Sequence, residues 1–379
     1  MSPKNLPFSY IEISKKNLIH NINQFRNLVG KNTKIVSVIK ANAYGHGQTE
    51  ISSILEPYTD FFMINNIFEL ELLRKKSKKK VFVFGYISEN DLSNAINLGC
   101  ILSVFSIDHL KKINKKAKEL KKIQEVHLSI DAYLGREGLL FEELSDFFLE
   151  IEKCKNIKLT GIYAHFANIE DTKDFSHAQK QIDIYENTKK IAEKNGFKNL
   201  YTHISATSGV LVYEKNKEIN SLVRIGLGLY GLWPSKHLES LYKNSKFKLL
   251  PVLSWKTKIA QIKVLPKGST IGYGLTYKTK IDTKIAVIPQ GYSDGYDRRF
   301  SNKGEVLICG TRCKILGRVA MNMFVVDVNN LKNVLPEAEV VILGKQGKEE
   351  ITAEEMAGEN SINYEIVARI NPLLPRIIV

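Results

Sequence analysis

The chain has 379 residues, 44% of them hydrophobic, enough apolar material for large cores and more than one ordinary domain holds. A formal net charge of +15 raises a nucleic-acid reading, whereas the lack of any run of about eighteen apolar residues excludes a conventional membrane-spanning helix. Four scattered cysteines, Cys100, Cys154, Cys309 and Cys313, suggest reduced thiols, and no second thiol pair or close histidine pair completes a zinc site around the last two, so no metal is expected.

The opening MSPKNLPFSYIEIS lacks the basic, apolar and small-residue order of a secretory signal, so a cytoplasmic protein without membrane attachment is expected. From about residue 34 to 231, β-rich runs alternate with segments of helical period. The expected strands are KIVSVIKA, DFFMINN, KVFVFGYI, CILSVFS, EVHLSID, KLTGIYAHF, YTHISAT and LVRIGLGLYG; FEELSDFFLEIEK and the stretch from Ser176 to Gly196 are among the helical segments between them. The lysines fall on helix faces. In HLKKINKKAKELKKI, residues 109–123, Leu110, Ile113, Ala117, Leu120 and Ile123 recur at helical spacing with lysines on the other faces, and RKKSKKK, residues 74–80, ends a helical segment where cations suit the dipole. Charge so distributed reads as a solvated surface, and no nucleic-acid partner is expected.

About eight strand and helix units form the pattern of a parallel (β/α)8 TIM-like barrel, with an open doubly wound sheet as the alternative. After about residue 245 the strand-like runs KIAQIKVL, KIAVIPQGY, EVLICG, RCKILGR, MFVVDV and EVVILG follow one another with glycine turns and little helix. The fold class is therefore α/β, with a barrel over residues 1–245 and a C-terminal mainly-β domain over residues 246–379, the boundary lying between 240 and 250.

In such a barrel the reactive groups gather at the carboxyl ends of the strands. Lys40 ends the first expected strand in VIKANAYGHG, Arg136 follows the fifth, His165 ends the sixth, His203 and Thr207 lie on and after the seventh, and Arg224 on the eighth leads into Gly226. A lysine held among arginines loses proton affinity, and a neutral amine can bond an aldehyde such as that of pyridoxal 5'-phosphate. That cofactor also needs a phosphate cradle, which backbone amides after Thr207 and at Gly226 could form, and a partner for its pyridine nitrogen, for which Arg224 is the candidate.

The motifs VIKANAYGHG, GIYAHFA, VRIGLGLYG, IGYGLTY, PQGYSDGYDRR and INYEI with the terminal LPRI resemble, in order and over nearly the whole chain, those of the alanine racemases, pyridoxal phosphate enzymes of fold type III. The resemblance implies an isomerase that interconverts L- and D-alanine by a two-base mechanism and supplies D-alanine for peptidoglycan. It implies Lys40 as the residue bonded to the cofactor, Tyr44, Thr207, Gly226 and Tyr364 as phosphate-holding positions with Leu227 beside them, Arg224 facing the pyridine nitrogen and His165 against the ring. Arg136 matches an arginine that meets the cofactor phenolate and the substrate carboxylate, and Met321 a residue whose backbone amide binds that carboxylate. Tyr273 matches the second base. In the family Tyr273 and Met321 reach the site from the other subunit, so a homodimer with shared sites is expected. His203, Tyr292 and Arg298 read as supporting or entrance residues.

Inverting a Cα centre takes one base on each face, and Lys40 and Tyr273 supply two. A phenol with an ordinary pKa near 10 needs cationic help, which the series Tyr273, His165, Arg224 would provide. Rival readings are a broader amino acid racemase on the same scaffold and, further off, a fold-type III amino acid decarboxylase. Two departures from the family pattern stand out. Ser129 occupies a position where many members carry a carbamylated lysine that orients the arginine matching Arg136, and Asn322 stands where aspartate is usual. A chloride near Arg136 is the expected replacement, with Asp131 or Glu137 as the alternative.

Overall fold

The computed structural model describes residues 6–213 and 219–379. The first five residues of MSPKNLPFSYIEIS lie outside the described residues. By contacts the chain divides into one unit of Leu18–Ala43 and Ile51–Leu250 and another of Met1–Asn17, Tyr44–Glu50 and Pro251–Val379.

The first strand, β1 (Tyr10–Ile13), belongs to the second unit. The first unit is built on β2 (Lys34–Val38), β3 (Phe61–Ile64), β4 (Val81–Val83), β5 (Ile101–Val104), β6 (Gln124–Ser129), β7 (Ile157–Tyr163), β8 (Tyr201–His203) and β9 (Leu222–Ile225), all parallel in the order β8-β7-β6-β5-β4-β3-β2-β9. All eight expected runs are strands, mostly shorter than their apolar stretch. Backbone bonds from Ser221 to the Thr202 carbonyl (3.0 Å) and from Arg224 to that of Ser205 (3.1 Å) tie the two ends of the sheet, making a (β/α)8 near-barrel. FFMI, VFV and ILSV are buried throughout, which is why these strands read as unbroken apolar runs rather than alternations.

Helices fill the connections and begin where short polar side chains cap them: Asn66 accepts from the Glu69 amide, and Ser106 from that of His109. The lysine-rich helix is Ile107–Glu119 and buries His109, Leu110, Ile113 and Ala117. It is shorter than its sequence period suggests, because the chain leaves the helix at Leu120 and Lys121 turns left-handed (φ 53°) to enter β6; Ile123, expected on the apolar face, is 59% exposed.

The barrel interior is aromatic and polar. Phe82 meets the edges of Tyr163 and His203, and Tyr163 stacks on His203 at 5.1 Å. Gly161 makes room for this layer, since a Cβ there would lie 2.6 Å from His127 Nε2.

The second unit contains β10 (Leu253–Lys258), β11 (Gln261–Leu265), β12 (Thr270–Ile271), β13 (Tyr277–Lys278), β14 (Thr283–Ile288), β15 (Glu305–Ile308), β16 (Thr311–Leu316), β17 (Phe324–Asp327), β18 (Glu339–Gln346), β19 (Glu349–Ile351) and β20 (Arg376–Ile378). One long sheet runs β11-β14-β17-β16-β15-β18-β10-β1-β20, antiparallel except for β1 with β20, while β12 and β13 form a separate hairpin. Trp255, Tyr296 and Phe324 pack at its centre, and the Trp255 indole donates to Gln290 (2.8 Å). Among the described residues no helix is long and apolar enough to cross a membrane.

Candidate active site

Lys40 lies two residues past β2 and opens an unusual turn. Ala41, Asn42, Ala43 and Tyr44 all have φ between 52° and 54°, a left-handed stretch without glycine. L-residues there cost roughly 1–2 kcal/mol each, so the conformation has to be imposed from outside. Glu69 imposes it: its two oxygens accept the amides of Ala41 and Asn65, both at 2.6 Å.

The turn delivers the Lys40 side chain to a 490 Å³ cavity lined with Asn65, Phe84, Gly85, Tyr86, Phe105, Arg136 and Glu137. Lys40 Nζ lies 5.6 Å from the Phe84 ring centroid and the Arg136 guanidinium 5.9 Å from the same ring. Burial first, and then Arg136, lower the proton affinity of Lys40, against the opposing pull of Glu69 and Glu137. An amine of reduced basicity, reachable from a cavity, is suited to bond an aldehyde and to take or return a proton.

Arg224 is the electrostatic centre of the barrel mouth. It is 2% exposed and donates to the carbonyls of His203 (2.8 Å), Ala164 (2.9 Å) and Ile204 (2.9 Å), to His203 Nδ1 (2.6 Å) and to His165 Nδ1 (3.1 Å). Burial lowers its pKa to about 10, so it remains cationic at neutral pH. A guanidinium only donates, and this fixes the tautomers around it. His165 and His203 accept at Nδ1 and therefore carry their protons on Nε2. His203 Nε2 then donates to His127 Nδ1 (2.9 Å), which leaves His127 Nε2–H with no partner among the described residues. Burial, followed by the charge of Arg224, lowers His165 and His127 to about 3 and His203 well below its ordinary value, so all three are neutral donors.

Thr207 Oγ1 accepts the amides of Gly226 (3.2 Å) and Gly228 (3.3 Å), with Leu227 between them, and so shapes the loop after β9. Gly228 admits no Cβ, because one would overlap the Phe25 ring. In the second unit Tyr44 and Tyr364 are neighbours, and burial followed by Tyr364 raises the Tyr44 phenol to about 12. Within the first unit the donors have chemistry that fits pyridoxal phosphate: an amine nucleophile, a permanent cation, a neutral imidazole and the backbone of the loop after β9 for a phosphate.

Tyr273 and Met321 also belong to the second unit. Tyr273 stands between β12 and β13 on a turn flanked by Gly272 (φ 72°) and Gly274 (φ 71°), and it is 75% exposed. It lines a groove of 1380 Å³ with Tyr292, Arg298, Arg318, Met321 and Asn322. Ser293 Oγ donates to the Met321 carbonyl (2.8 Å) and accepts from Asn322 Nδ2 (2.8 Å), which holds the Met321 loop in shape. Gly291 is required beneath it, since a Cβ would overlap the carbonyls of Ala320 and Met321.

Three supporting groups escape a reading by strand ends. His127 leaves a trace, a histidine inside a run otherwise typical of a buried strand; Tyr163, bonded to Ser103 (3.0 Å), leaves a similar one. Glu69 leaves none, because its role depends on where the next strand and helix unit lies.

The family described as "Alanine racemase, N-terminal domain" matches residues 13–234, and "Alanine racemase, C-terminal domain" matches residues 252–378. The alanine racemase of Leptospira interrogans is 34% identical over 385 residues, covering 100% of this chain and 97% of its own; that of Methanococcus maripaludis is 33% identical, covering 97% and 98%. Among solved structures, alanine racemase from Clostridium difficile superposes with a TM-score of 0.91 at 29% identity, covering 99% of this chain and 96% of its own. Alanine racemase from Bacillus anthracis with bound L-Ala-P gives 0.91 at 29%, covering 99% and 95%. Matched by both domain families over nearly its whole length, and 34% identical to a relative that covers it end to end, the chain belongs to the alanine racemase family of isomerases.

Proposed function

We propose that the chain interconverts L- and D-alanine with pyridoxal 5'-phosphate, and that in the cytoplasm this supplies D-alanine for peptidoglycan. The observation that carries the reading is the shared cavity of Lys40 and Arg136, where burial and the arginine weaken the lysine's hold on its proton.

In this reading the division of labour falls between a barrel of residues 1–245 and a β domain of residues 246–379. Lys40, Tyr44, His165, Thr207, Arg224, Gly226, Leu227 and Tyr364 hold the cofactor. Pyridoxal phosphate supplies an aldehyde that takes up an amine and an electron sink that acidifies the substrate Cα–H. Arg224 would meet the pyridine nitrogen as a donor that keeps its proton. Arg136 and the Met321 amide bind the substrate carboxylate. Lys40 Nζ takes or returns the Cα proton on one face and Tyr273 Oη on the other, with Tyr273 and Met321 contributed by a second copy of the chain in a homodimer. His165, whose Nδ1 accepts from Arg224, would offer its Nε2–H as the donor that stabilises a phenolate.

Purified enzyme incubated with each L-amino acid in turn, followed by chiral chromatography, tests the reading. D-alanine is expected to form fastest. Equal or faster formation of another D-amino acid would favour the broader racemase, and loss of carbon dioxide would favour a decarboxylase.

A further inference from the structure

We infer that Glu137 is a positioning residue whose carboxylate is the built-in counter-charge of Arg136, so that the Lys40 cavity needs no free anion. The inference rests on the function proposed above. Arg136 Nε donates to Glu137 Oε2 (2.6 Å) and Arg136 Nη2 to Oε1 (2.9 Å), a two-point pair between sequence neighbours. Such forked contacts fix the plane of a guanidinium as well as its charge.

Adjacent side chains normally diverge, so the loop has to bend to bring them together. Tyr133 (φ 59°), Gly135 (φ 70°) and Gly138 (φ 131°) bend it, and Gly138 is packed so closely that a Cβ would lie 2.5 Å from the Asp131 amide nitrogen.

The other candidates for this task are occupied or uncharged. Asp131 Oδ1 accepts the amides of Leu134 and Gly135, both at 2.9 Å, and caps the turn. Ser129 is buried and carries no charge. Glu69 is committed to the turn that follows Lys40. Among the described residues that line the cavity, Glu137 is the one carboxylate, and it is bonded to Arg136 there. Its charge also favours the protonated form of Lys40, in opposition to Arg136. Glu137 therefore orients the group that receives a substrate carboxylate and offsets that group's effect on the lysine, and a chloride at Arg136 becomes unnecessary.

The test compares wild type, Glu137→Gln and Glu137→Asp holoenzymes in chloride and in methanesulfonate, reading KM and kcat for alanine together with ³⁵Cl NMR line width as a direct measure of chloride binding. Wild type should be indifferent to the anion and should not broaden the chloride line. Glu137→Gln should raise KM roughly 10-fold or more, the scale of a lost charge-assisted pair, with kcat changed much less. Added chloride should then bind, broaden the line and recover part of the KM, while Glu137→Asp should fall between the two. A wild type that binds chloride and requires it, or a Glu137→Gln variant with unchanged KM and no new chloride binding, overturns the inference. Failure of the wild type to racemise alanine would instead remove the function proposed above, and the line-width comparison would still decide the charge at Arg136.

Discussion

The barrel mouth and the Tyr273 turn contrast in how complete each is within one chain. At the mouth, Arg224 is 2% exposed with five hydrogen bonds, and it dictates the tautomers of His165, His203 and, through His203, His127. The Tyr273 turn is shaped by two glycines with positive φ and presents a phenol that is 75% exposed, with Met321 beside it in the same groove at 55%. The first region is electrostatically finished; the second is geometrically finished and chemically open. In the function proposed above, the exposed phenol is a base that gains its cationic help from a second copy of the chain, and on that proposal assembly and catalysis would be one event.

If the mouth supplies the bond to the cofactor from within one chain, Lys40→Ala should cost roughly 10³- to 10⁴-fold in activity. It should also lose the cofactor that borohydride fixes to the protein. A variant that keeps a borohydride-fixed cofactor would remove Lys40 from its role.

Arg224→Leu should damage the fold itself, because several buried acceptors lose their donor together. A loss of about 3–5 kcal/mol is expected, measured by urea unfolding of the purified chain. A loss below about 1 kcal/mol would mean that the network is not the structural centre described above.

Tyr273→Phe should do the opposite, lowering activity roughly 10²-fold while leaving the urea midpoint nearly unchanged, since removing an exposed hydroxyl disturbs no packing. Mixing Tyr273→Phe with Lys40→Ala chains should restore up to one native site per heterodimer. No recovery after verified subunit exchange would show that both bases come from one chain and would dissolve the contrast.

The smallest effect is on pH. His165 and His127 near 3, His109 near 4 and His203 well below normal all bind protons less readily folded than unfolded, where a histidine titrates near 6.5. Acidification from pH 7.5 to 5.5 therefore protonates the unfolded chain first, and stability falls as pH drops, by at most about 1.4 kcal/mol per pH unit for each such histidine. Urea midpoints that rise or stay level across that window would contradict the buried, neutral assignment.

Much of this was legible in the chain. The eight barrel strands appear as short apolar runs because both of their faces are covered, and the barrel's candidate site residues follow them because parallel strands deliver their carboxyl ends to one mouth. β1 and β20 were harder to read: they are four and three residues long, and each is a strand only through the partner it pairs with, β10 and β20 for β1. The apolar period of 109–123 overran its helix for a related reason, since periodicity records which residues are apolar and the position of β6 decides where the helix must stop.

The sequence by itself determined the fold class and the family and nominated the candidate site residues, because these depend on local periodicity and on residue types in a particular order. Only the tertiary structure decided that Glu69 clamps a left-handed turn, that Arg224 orders the histidine protons, and that Glu137 rather than Asp131 meets Arg136. Each of these is a hydrogen bond whose existence depends on distances and directions within a few tenths of an ångström, and such distances arise only once the strands have closed around a common interior.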